Sequence, residues 1–389
     1  MPTAQHLASS TVSWNENDSI REALWLTSAQ GSAPLRIVIA DDTLSADAAY
    51  RLISQGTSLL WRGDFQNARQ LLQALARRID NKPEVKKNRK ADPAPATTPL
   101  DLFNRHRQQQ SQRTALLNRV LIELDAHACI ALRRAPDVQE ACHAALGDIG
   151  AAFLIPLRAL QGLIGAHEWR KKGVAVAGLT DKIHVHYGVF SPNRGEYIAL
   201  VAQAPLPATD LAFDIGTGSG VLAAVLAQRG LRKIIATDQD TRALDCAREN
   251  INRLGLAKTI ELQQTDLFPD GKSSLIICNP PWLPARPTTA IEHAIYDPDN
   301  RMLLGYLQGL PAHLQADGEG WLIMSDLAEH LGLRSPDFLS KAITNAGLRV
   351  IEQHTARPSH PKATDLTDPL HQARQAEVTS LWRLGLQQQ

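Results

Sequence analysis

The amino-acid sequence predicts an α/β fold with a doubly wound, mostly parallel sheet in its carboxy-terminal half. From residue 211 onward, short apolar runs alternate with segments of helical periodicity, a pattern typical of parallel sheets covered by helices. A glycine-rich turn follows the first of these runs. The length of 389 residues and a hydrophobic content of 44% leave room for two or three domains with substantial cores. A smaller α/β domain is therefore predicted in front of the main sheet.

The first 80 residues are predicted to form this smaller domain. The predicted elements are a short helix near 20–27, strands at 35–40 and 58–61, and helices at 43–55 and 64–78. Ser45 is a candidate N-cap of the first long helix, and Asp41 and Asp42 are interpreted as a turn at a strand end. The polar residues 1–15 lack the apolar core of a signal peptide, so a cytoplasmic protein is expected.

Residues 81–100 are predicted to be a linker because they are rich in charge, Pro and Ala. The basic residues are Lys82, Lys86, Lys87, Arg89 and Lys90, and the prolines that follow are Pro93, Pro95 and Pro99. Between residues 77 and 119, 11 Lys or Arg residues stand against four Asp or Glu residues. Such a segment can follow nucleic-acid phosphates or can simply remain solvated, and the sequence leaves both interpretations open.

Residues 101–185 are predicted to be a mixed α/β region that packs with the first domain. Its predicted elements are strands at 120–124, 129–132 and 182–189, and helices at 138–146 and 153–166. His184 and His186 share one face of the last strand, but no third ligand is evident, so no metal site is predicted. The four cysteines lack a Cys-x-x-Cys spacing, which argues against a zinc site or a disulfide framework. The sequence contains no run of 18 apolar residues, so no membrane span is predicted.

The glycine-rich turn is the strongest signal in the chain. It reads Asp-x-Gly-x-Gly-x-Gly over 214–220, between a strand at 211–215 and a helix at 219–229. Such a turn lets a ligand approach the backbone and the start of the helix. The candidate cofactor-binding residues here are Asp214, Gly216, Thr217, Gly218 and Gly220. Asp238, followed by Gln239, ends the next strand about 20 residues later, where an acid can accept hydrogen bonds from ribose hydroxyls.

A second motif, Asn279-Pro280-Pro281-Trp282, follows a predicted strand at 273–278, and Asp266-Leu267 lies between the two motifs. An amide or exocyclic amine keeps its nitrogen lone pair in a π system. The side-chain carbonyl of Asn279 and the backbone carbonyl of Pro280 can accept two N–H bonds and turn such a nitrogen toward a methyl donor. Trp282 offers a flat face on which a planar group can stack.

Together these ordered motifs resemble the class I S-adenosylmethionine-dependent methyltransferases, and more closely the Asn/Asp-Pro-Pro-aromatic branch that methylates planar nitrogens. The resemblance implies a Rossmann-like, seven-stranded domain over 186–389 with an antiparallel last strand, and S-adenosylmethionine as cofactor. The remaining predicted strands are 233–237, 259–264, 320–325, 348–353 and 376–384, and the remaining helices are 241–254, 300–315 and 336–346.

The resemblance also implies roles for individual residues. It assigns catalysis to Asn279, Pro280, Pro281 and Trp282. It assigns cofactor binding to the glycine-turn residues, Asp238, Gln239, Asp266, Leu267 and Asn279. The segment 188–197 matches an aromatic-Pro segment that lies over the methionine end of the cofactor, so Phe190, Arg194 and Tyr197 are candidate wall residues.

The resemblance leaves the substrate open. An exocyclic base amine of rRNA or tRNA is favoured, because about 185 residues with strands precede the methyltransferase domain, as in two-domain rRNA guanine-N2 methyltransferases. The alternative is a protein glutamine amide, since Asp297-Pro298 through Gly309-Leu310 resembles the release-factor enzymes. A non-catalytic RNA- or protein-binding relative is a third interpretation, which the intact motifs oppose. The oligomeric state is left open.

Overall fold

The computed structural model describes residues 10–26, 32–81, 98–287, 292, 294–358 and 365–387. These residues form two compact units. One unit contains the described residues up to 168 except 98–103, and the other contains 98–103 and the residues from 169 onward. Most of the predicted basic linker, residues 82–97, lies outside the described residues. Within the described ranges, no helix is both long and apolar enough to cross a membrane.

The first unit is built on a mixed sheet. Its strands are β1 (Ser10–Glu16), β2 (Ser19–Trp25), β3 (Ile37–Ala40), β4 (Ser58–Trp61), β5 (Val120–Leu124) and β6 (Phe153–Pro156). The helices along this part of the chain are α1 (Ala46–Ser54), α2 (Phe65–Asp80), α3 (Pro99–Leu117), α4 (Gln139–Leu146) and α5 (Leu157–Lys172). Among the described residues, the strand order is β1-β2-β6-β5-β4-β3. Strands from the region after residue 100 thus complete the sheet that the first 80 residues begin.

The helix predicted near 20–27 is wrong, because Ser19–Trp25 form β2; residue 27 lies outside the described residues. Asn17 and Asp18, with φ of 50° and 57°, make the two-residue turn of a hairpin. Val12, Trp14, Ala23 and Trp25 then face one apolar cluster at the period of two that a half-buried strand requires.

The strand predicted at 129–132 is also wrong, and so is the start of the helix predicted at 153–166. The antiparallel partner of β5 is β6, whose residues are all buried, and the helix begins only at Leu157. The carboxylate of Asp125 accepts hydrogen bonds from the backbone N–H groups of His127 (2.9 Å) and Cys129 (2.8 Å). These side-chain bonds close a turn after β5 and take the place of a hairpin ladder.

The second unit has the predicted doubly wound architecture. Its strands are β7 (Leu211–Ile215), β8 (Lys233–Asp238), β9 (Ile260–Gln264), β10 (Ser273–Cys278), β11 (Leu314–Ser325), β12 (Leu348–Ala356) and β13 (Thr379–Leu386). Its helices are α6 (Gly195–Gln203), α7 (Val221–Gln228), α8 (Thr241–Arg253), α9 (Arg301–His313), α10 (Leu327–His330), α11 (Phe338–Asn345) and α12 (His371–Ala376).

Among the described residues, the seven strands of this unit lie in the order β12-β13-β11-β10-β7-β8-β9. In this sheet β13 runs opposite to the other six strands, as the family resemblance implied. Alternate residues of β10 pack into opposite core clusters, Leu275 and Ile277 on one face of the sheet and Ile276 and Cys278 on the other. The predicted fold class is therefore confirmed.

The strand predicted at 182–189 is wrong, although its alternating burial is real. Ile183, Val185 and Val189 are buried, but the segment makes only one isolated bridge, between Ile183 and Val174, among the described residues. Its next N–H groups donate to side chains of α8: that of His184 to Asn250 Oδ1 (2.8 Å) and that of His186 to Cys246 Sγ (3.4 Å). Backbone groups that bind side chains in this way do not need a partner strand.

Candidate active site

The three motifs singled out in the sequence meet at one edge of the second sheet. The glycine turn follows β7, Asp238 ends β8, and the motif that starts at Asn279 follows β10. These strands are neighbours in the order β10-β7-β8 and run parallel. Their carboxyl ends therefore lie side by side, where doubly wound sheets bind their ligands.

The glycine turn has the backbone that its sequence requires. Gly216, Gly218 and Gly220 have φ of 71°, 56° and 80°, in the left-handed region that favours glycine. Gly220 is the N-cap of α7, and a Cβ added there would lie only 3.3 Å from Cα and Cβ of Ala247 in α8. The turn is thus both bent and closely packed. The N–H of Gly218 donates to Asp238 Oδ2 at 3.0 Å, which links the turn to the end of β8.

Asp214 is the buried carboxylate beneath this turn. Its Oδ2 accepts hydrogen bonds from Thr217 Oγ1 (2.6 Å) and from the N–H of Ala223 (3.1 Å). Burial raises the pKa of Asp214 to about 6, because the charged form is separated from water, and the nearby Asp238 adds to this effect.

Asp238, like Asp214, is a carboxylate with little access to water. Burial raises its pKa as well, although the N–H groups of Asp240 and Gly218 donate to its carboxylate. Among the described residues, the structure gives neither Asp214 nor Asp238 a cationic partner. Two poorly hydrated carboxylates next to a glycine turn are suited to ligand groups that donate hydrogen bonds or carry positive charge. The ribose hydroxyls and the ammonium of S-adenosylmethionine are groups of this kind, so the residues present fit the cofactor that the family resemblance implies.

The raised pKa of Asp214 predicts a specific pH dependence of stability. The folded pKa of about 6 lies above the ordinary value of 3.8, so the buried charge costs stability above pH 6 and this cost disappears as the pH falls toward 4. Asp214→Asn is expected to raise the free energy of unfolding near pH 7 by up to about 2–3 kcal/mol. Asn keeps one oxygen that can accept both hydrogen bonds.

The measurement is denaturant unfolding of both proteins without cofactor between pH 4.5 and 8. The gain from Asp214→Asn should shrink as the pH falls. A gain that does not change with pH would show that the Asp214 carboxylate does not bear this burial cost.

The other predicted cofactor residues lie close to this edge of the sheet but differ from Asp214 and Asp238 in exposure and in their bonding partners. Gln239 is exposed directly after β8. Asp266 is exposed and pairs with Arg301 at the start of α9. Leu267 has a φ of 70°, and its carbonyl accepts a hydrogen bond from Thr237 Oγ1 at 2.6 Å. Asp266 thus has a cationic partner, whereas the structure gives Asp214 and Asp238 none among the described residues.

The Asn279 motif is held by a contact that the sequence analysis did not predict. The indole N–H of Trp282 donates to Asn279 Oδ1 at 3.0 Å. Trp282 is half-buried and packs against both core clusters of the sheet, while Pro280 is buried. The Trp282 ring therefore connects the core of the sheet to the amide of Asn279.

Arg194 lies over this ring. Its guanidinium carbon is 4.9 Å from the ring centroid of Trp282. Its Nε donates to Glu196 Oε1 at 2.6 Å and its Nη1 to Glu377 Oε1 at 3.0 Å. Glu377 also accepts a hydrogen bond from Ser325 Oγ at 2.6 Å. A buried ionic cluster thus lies next to the predicted catalytic motif.

The sequence analysis missed Glu196, Glu377 and Ser325. Glu196 could have been found, because it is two residues from the predicted Arg194 in the same segment. Ser325 ends β11, and Glu377 lies between α12 and β13, two residues before Thr379, which pairs with Ser325 in the antiparallel ladder. Only the sheet order, which no local pattern encodes, brings them to Arg194.

The two aromatic candidates of this segment differ in burial. Tyr197 is buried in α6, and burial together with the nearby carboxylates of Glu196 and Asp214 raises its pKa. Phe190 is half-buried. Within the predicted wall segment, Arg194 thus contacts the catalytic motif, whereas Tyr197 lies near the carboxylate of Asp214.

His186 of the neighbouring segment and Arg170 share the carboxylate of Glu249. His186 Nε2 lies 2.7 Å from Glu249 Oε2, and Arg170 donates to the same carboxylate. Although burial opposes them, these two partners lower the pKa of Glu249 to about 2. Within the described residues, no group of three His, Cys, Asp or Glu side chains could hold a metal ion.

Comparisons with known proteins match the part of the chain that carries this site. The family model of the methyltransferase small domain matches residues 181–330. The release factor glutamine methyltransferase of Mycobacterium tuberculosis is 38% identical over 138 residues, which are 32% of this chain and 44% of that protein. The tRNA1(Val) (adenine(37)-N6)-methyltransferase of Pectobacterium carotovorum subsp. carotovorum is 43% identical over 94 residues, 22% of this chain and 38% of that protein.

The chain thus spans less than half the length of either of these relatives. Among solved structures, the ribosomal protein L11 methylase of Lactobacillus delbrueckii subsp. bulgaricus aligns with a TM-score of 0.37 and 20% identity, over 54% of this chain and 86% of that one. The match of residues 181–330 to the methyltransferase small domain confirms the resemblance to methyltransferases that the motifs predict.

Proposed function

We propose that the protein is an N-methyltransferase that transfers a methyl group from S-adenosylmethionine to a planar nitrogen. The observation that carries this proposal is the position of the Asn279-Pro280-Pro281-Trp282 motif. It follows β10, directly beside the glycine turn that follows β7. A target group held by the motif therefore lies next to a ligand held by the turn, as a direct transfer requires.

The chain's own residues supply binding and orientation. When bound, S-adenosylmethionine supplies an electrophilic methyl group. Asp214, Gly216, Thr217, Gly218, Gly220 and Asp238 hold the cofactor, with Gln239, Asp266 and Leu267 at its edge. Asn279 Oδ1 and the carbonyl of Pro280 accept the N–H bonds of the target, so the nitrogen lone pair turns toward the methyl group. Transfer would form the N–C bond as the S–C bond breaks, leave S-adenosylhomocysteine, and release the proton of the methylated nitrogen to water. No strong base among the chain's residues is required, because positioning and electrostatics carry the rate.

An exocyclic base amine of RNA is the proposed target. The basic stretch that starts at Lys82 and the separate α/β unit in front of the methyltransferase domain support it. The tRNA adenine-N6 relative supports it too, and the translation-related names of the relatives support a cytoplasmic location. A protein glutamine amide is the second candidate, favoured by the similarity to a release factor glutamine methyltransferase.

Methyl transfer into cell extract separates these two targets. The purified full chain and labelled S-adenosylmethionine are added to extract from cells that lack the gene. The products are then digested with nuclease or with protease. Loss of acid-precipitable label with nuclease supports RNA, and loss with protease supports the glutamine alternative. No label above that obtained with Asn279→Ala protein would contradict the proposed activity.

The basic stretch provides a separate prediction about RNA binding. Replacing Lys82, Lys86, Lys87, Arg89 and Lys90 by Gln keeps the chain length and removes five charges. If the stretch follows phosphates, RNA affinity should fall, and the slope of log K against log salt should flatten by about 0.7 for each single-strand phosphate that the variant no longer neutralises. The measurement is RNA binding at several salt concentrations. An identical slope would make the segment a plain linker.

A further inference from the structure

The hydrogen bond between Trp282 and Asn279 fixes which way the Asn279 amide faces. An indole N–H can only donate, so it selects the oxygen of the amide and not the nitrogen. A carbonyl oxygen has two lone pairs, so Oδ1 can accept the bond from Trp282 (3.0 Å) and still accept an N–H from a target group. Phe in place of Trp282 would keep an aromatic face, but it has no N–H donor and could not fix the orientation of the Asn279 amide.

The Trp282 ring is itself held by Arg194. The guanidinium lies 4.9 Å from the ring centroid, within the range of a cation–π contact. Arg194 is fixed in turn by Glu196 and Glu377, whose side chains are only 6% and 4% exposed. Moving Arg194 off the ring would leave two buried carboxylates without their cation, which is strongly unfavourable. Arg194 is therefore a fixed wall on one face of the Trp282 ring.

We propose that Trp282 and Arg194 are positioning residues that orient the carbonyl of Asn279 toward the target nitrogen. Arg194 holds the ring, the ring holds the amide, and the amide holds the target. Because Arg194 covers one face of the Trp282 ring, a planar target can stack on this ring only from the opposite face. The inference rests on the proposed function for its effect on rate, but the contacts themselves can be tested without activity.

The first test reads the contact directly in the full-length protein. Seven Trp residues give seven indole N–H signals in a spectrum of 15N-Trp-labelled protein, and the signal that disappears in Trp282→Phe identifies Trp282. In Asn279→Ala protein, this signal should shift toward the position of an unbonded indole, and its proton should exchange faster with water. In Arg194→Lys protein the Trp282 signal should also shift, because the planar guanidinium that lies over the ring has been removed. A Trp282 signal that does not change in the Asn279→Ala protein would overturn the inference.

The second test measures how loss of this hydrogen bond changes the rate of single-turnover methyl transfer. Trp282→Phe should lower the rate about tenfold, the size of one neutral hydrogen bond, with unchanged cofactor affinity. Trp14→Phe is the matched control, because Trp14 also donates its indole N–H to a side chain, Glu16 at 2.9 Å, in the other unit. It should leave the rate unchanged. A Trp282→Phe rate equal to or above that of the unmodified protein would overturn the inference.

A double-mutant cycle tests whether Arg194 acts through Trp282. Arg194→Lys should lower the rate in the parent protein and have little further effect in the Trp282→Phe background. Fully additive effects would show that Arg194 acts independently and would overturn its assignment. If the parent protein transfers no methyl group to any target, the proposed function fails, and the indole signals still decide whether the positioning contacts exist.

Discussion

Asn279→Ala is expected to slow single-turnover methyl transfer by about 100-fold or more, with most of the cofactor affinity retained. The physical reason is that Asn279 Oδ1 is the acceptor proposed to hold the target nitrogen in line with the methyl group. Trp282 already donates to this oxygen at 3.0 Å, which keeps the carbonyl in a defined orientation. The measurement combines the transfer rate with cofactor binding by calorimetry.

Asn279→Asp is the matched variant for this prediction. A carboxylate still accepts hydrogen bonds from both the indole and an amine target, so partial activity should survive. Trp282→Ala should in turn cost more than Trp282→Phe, because it removes the ring face as well as the N–H. Full activity in folded Asn279→Ala protein would reject the proposed mechanism and leave only a cofactor-binding fold.

Asp238→Ala is expected to weaken binding of S-adenosylmethionine by about 1–3 kcal/mol, which is the cost of leaving buried polar partners unpaired. Asp238 acts in two ways in this account. It is the proposed acceptor for the ribose hydroxyls, and its carboxylate accepts the N–H groups of Gly218 (3.0 Å) and Asp240 (2.9 Å). Its replacement therefore removes a ligand contact and also loosens the glycine turn.

Asp266→Ala provides the comparison, since Asp266 is exposed and already paired with Arg301. This substitution should weaken cofactor binding less than Asp238→Ala, and Asp238→Asn, which keeps one acceptor oxygen, should lie between the two. The measurement is calorimetric titration of folded variants with S-adenosylmethionine. Equal affinity of the parent and Asp238→Ala proteins would remove Asp238 from the site.

The carboxy-terminal sheet could be predicted because its signals are local. The central parallel strands β7, β8 and β10 are buried on both faces and read as short apolar runs, and helices with their own periodicity lie between the strands along the chain. The glycine turn and the Asn279 motif also mark the ends of β7 and β10 directly. Because parallel strands place their carboxyl ends at one edge, the fold class alone predicted that Asp214, Asp238 and Asn279 share that edge of the sheet.

The amino-terminal unit was predicted less well because its pairing is not local. β6 inserts between β2 and β5, more than 100 residues after β2 along the chain. A short run such as Phe153–Pro156, followed directly by a helix, has the same composition whether it is a strand or the first turn of that helix. Only the neighbouring strands decide between these two states.

The ionic cluster around Arg194 was missed for a similar reason. Glu377 is 183 residues from Arg194, and their contact depends on the reversed direction of β13. The hydrogen bond from Trp282 to Asn279 is local, but its formation depends on the side-chain geometry of a turn after a buried strand. Sequence spacing does not specify that geometry.

The central claim is that the Asn279 motif presents a planar nitrogen to S-adenosylmethionine. The most direct measurement is mass spectrometry of the methylated product after complete digestion, with parent and Asn279→Ala proteins compared on the same extract. The account predicts a methyl group on nitrogen, as an N-methylated base or as N5-methylglutamine, that depends on Asn279. A methyl group found on oxygen, carbon or sulfur, or an N-methylated product formed equally well by Asn279→Ala protein, would contradict it.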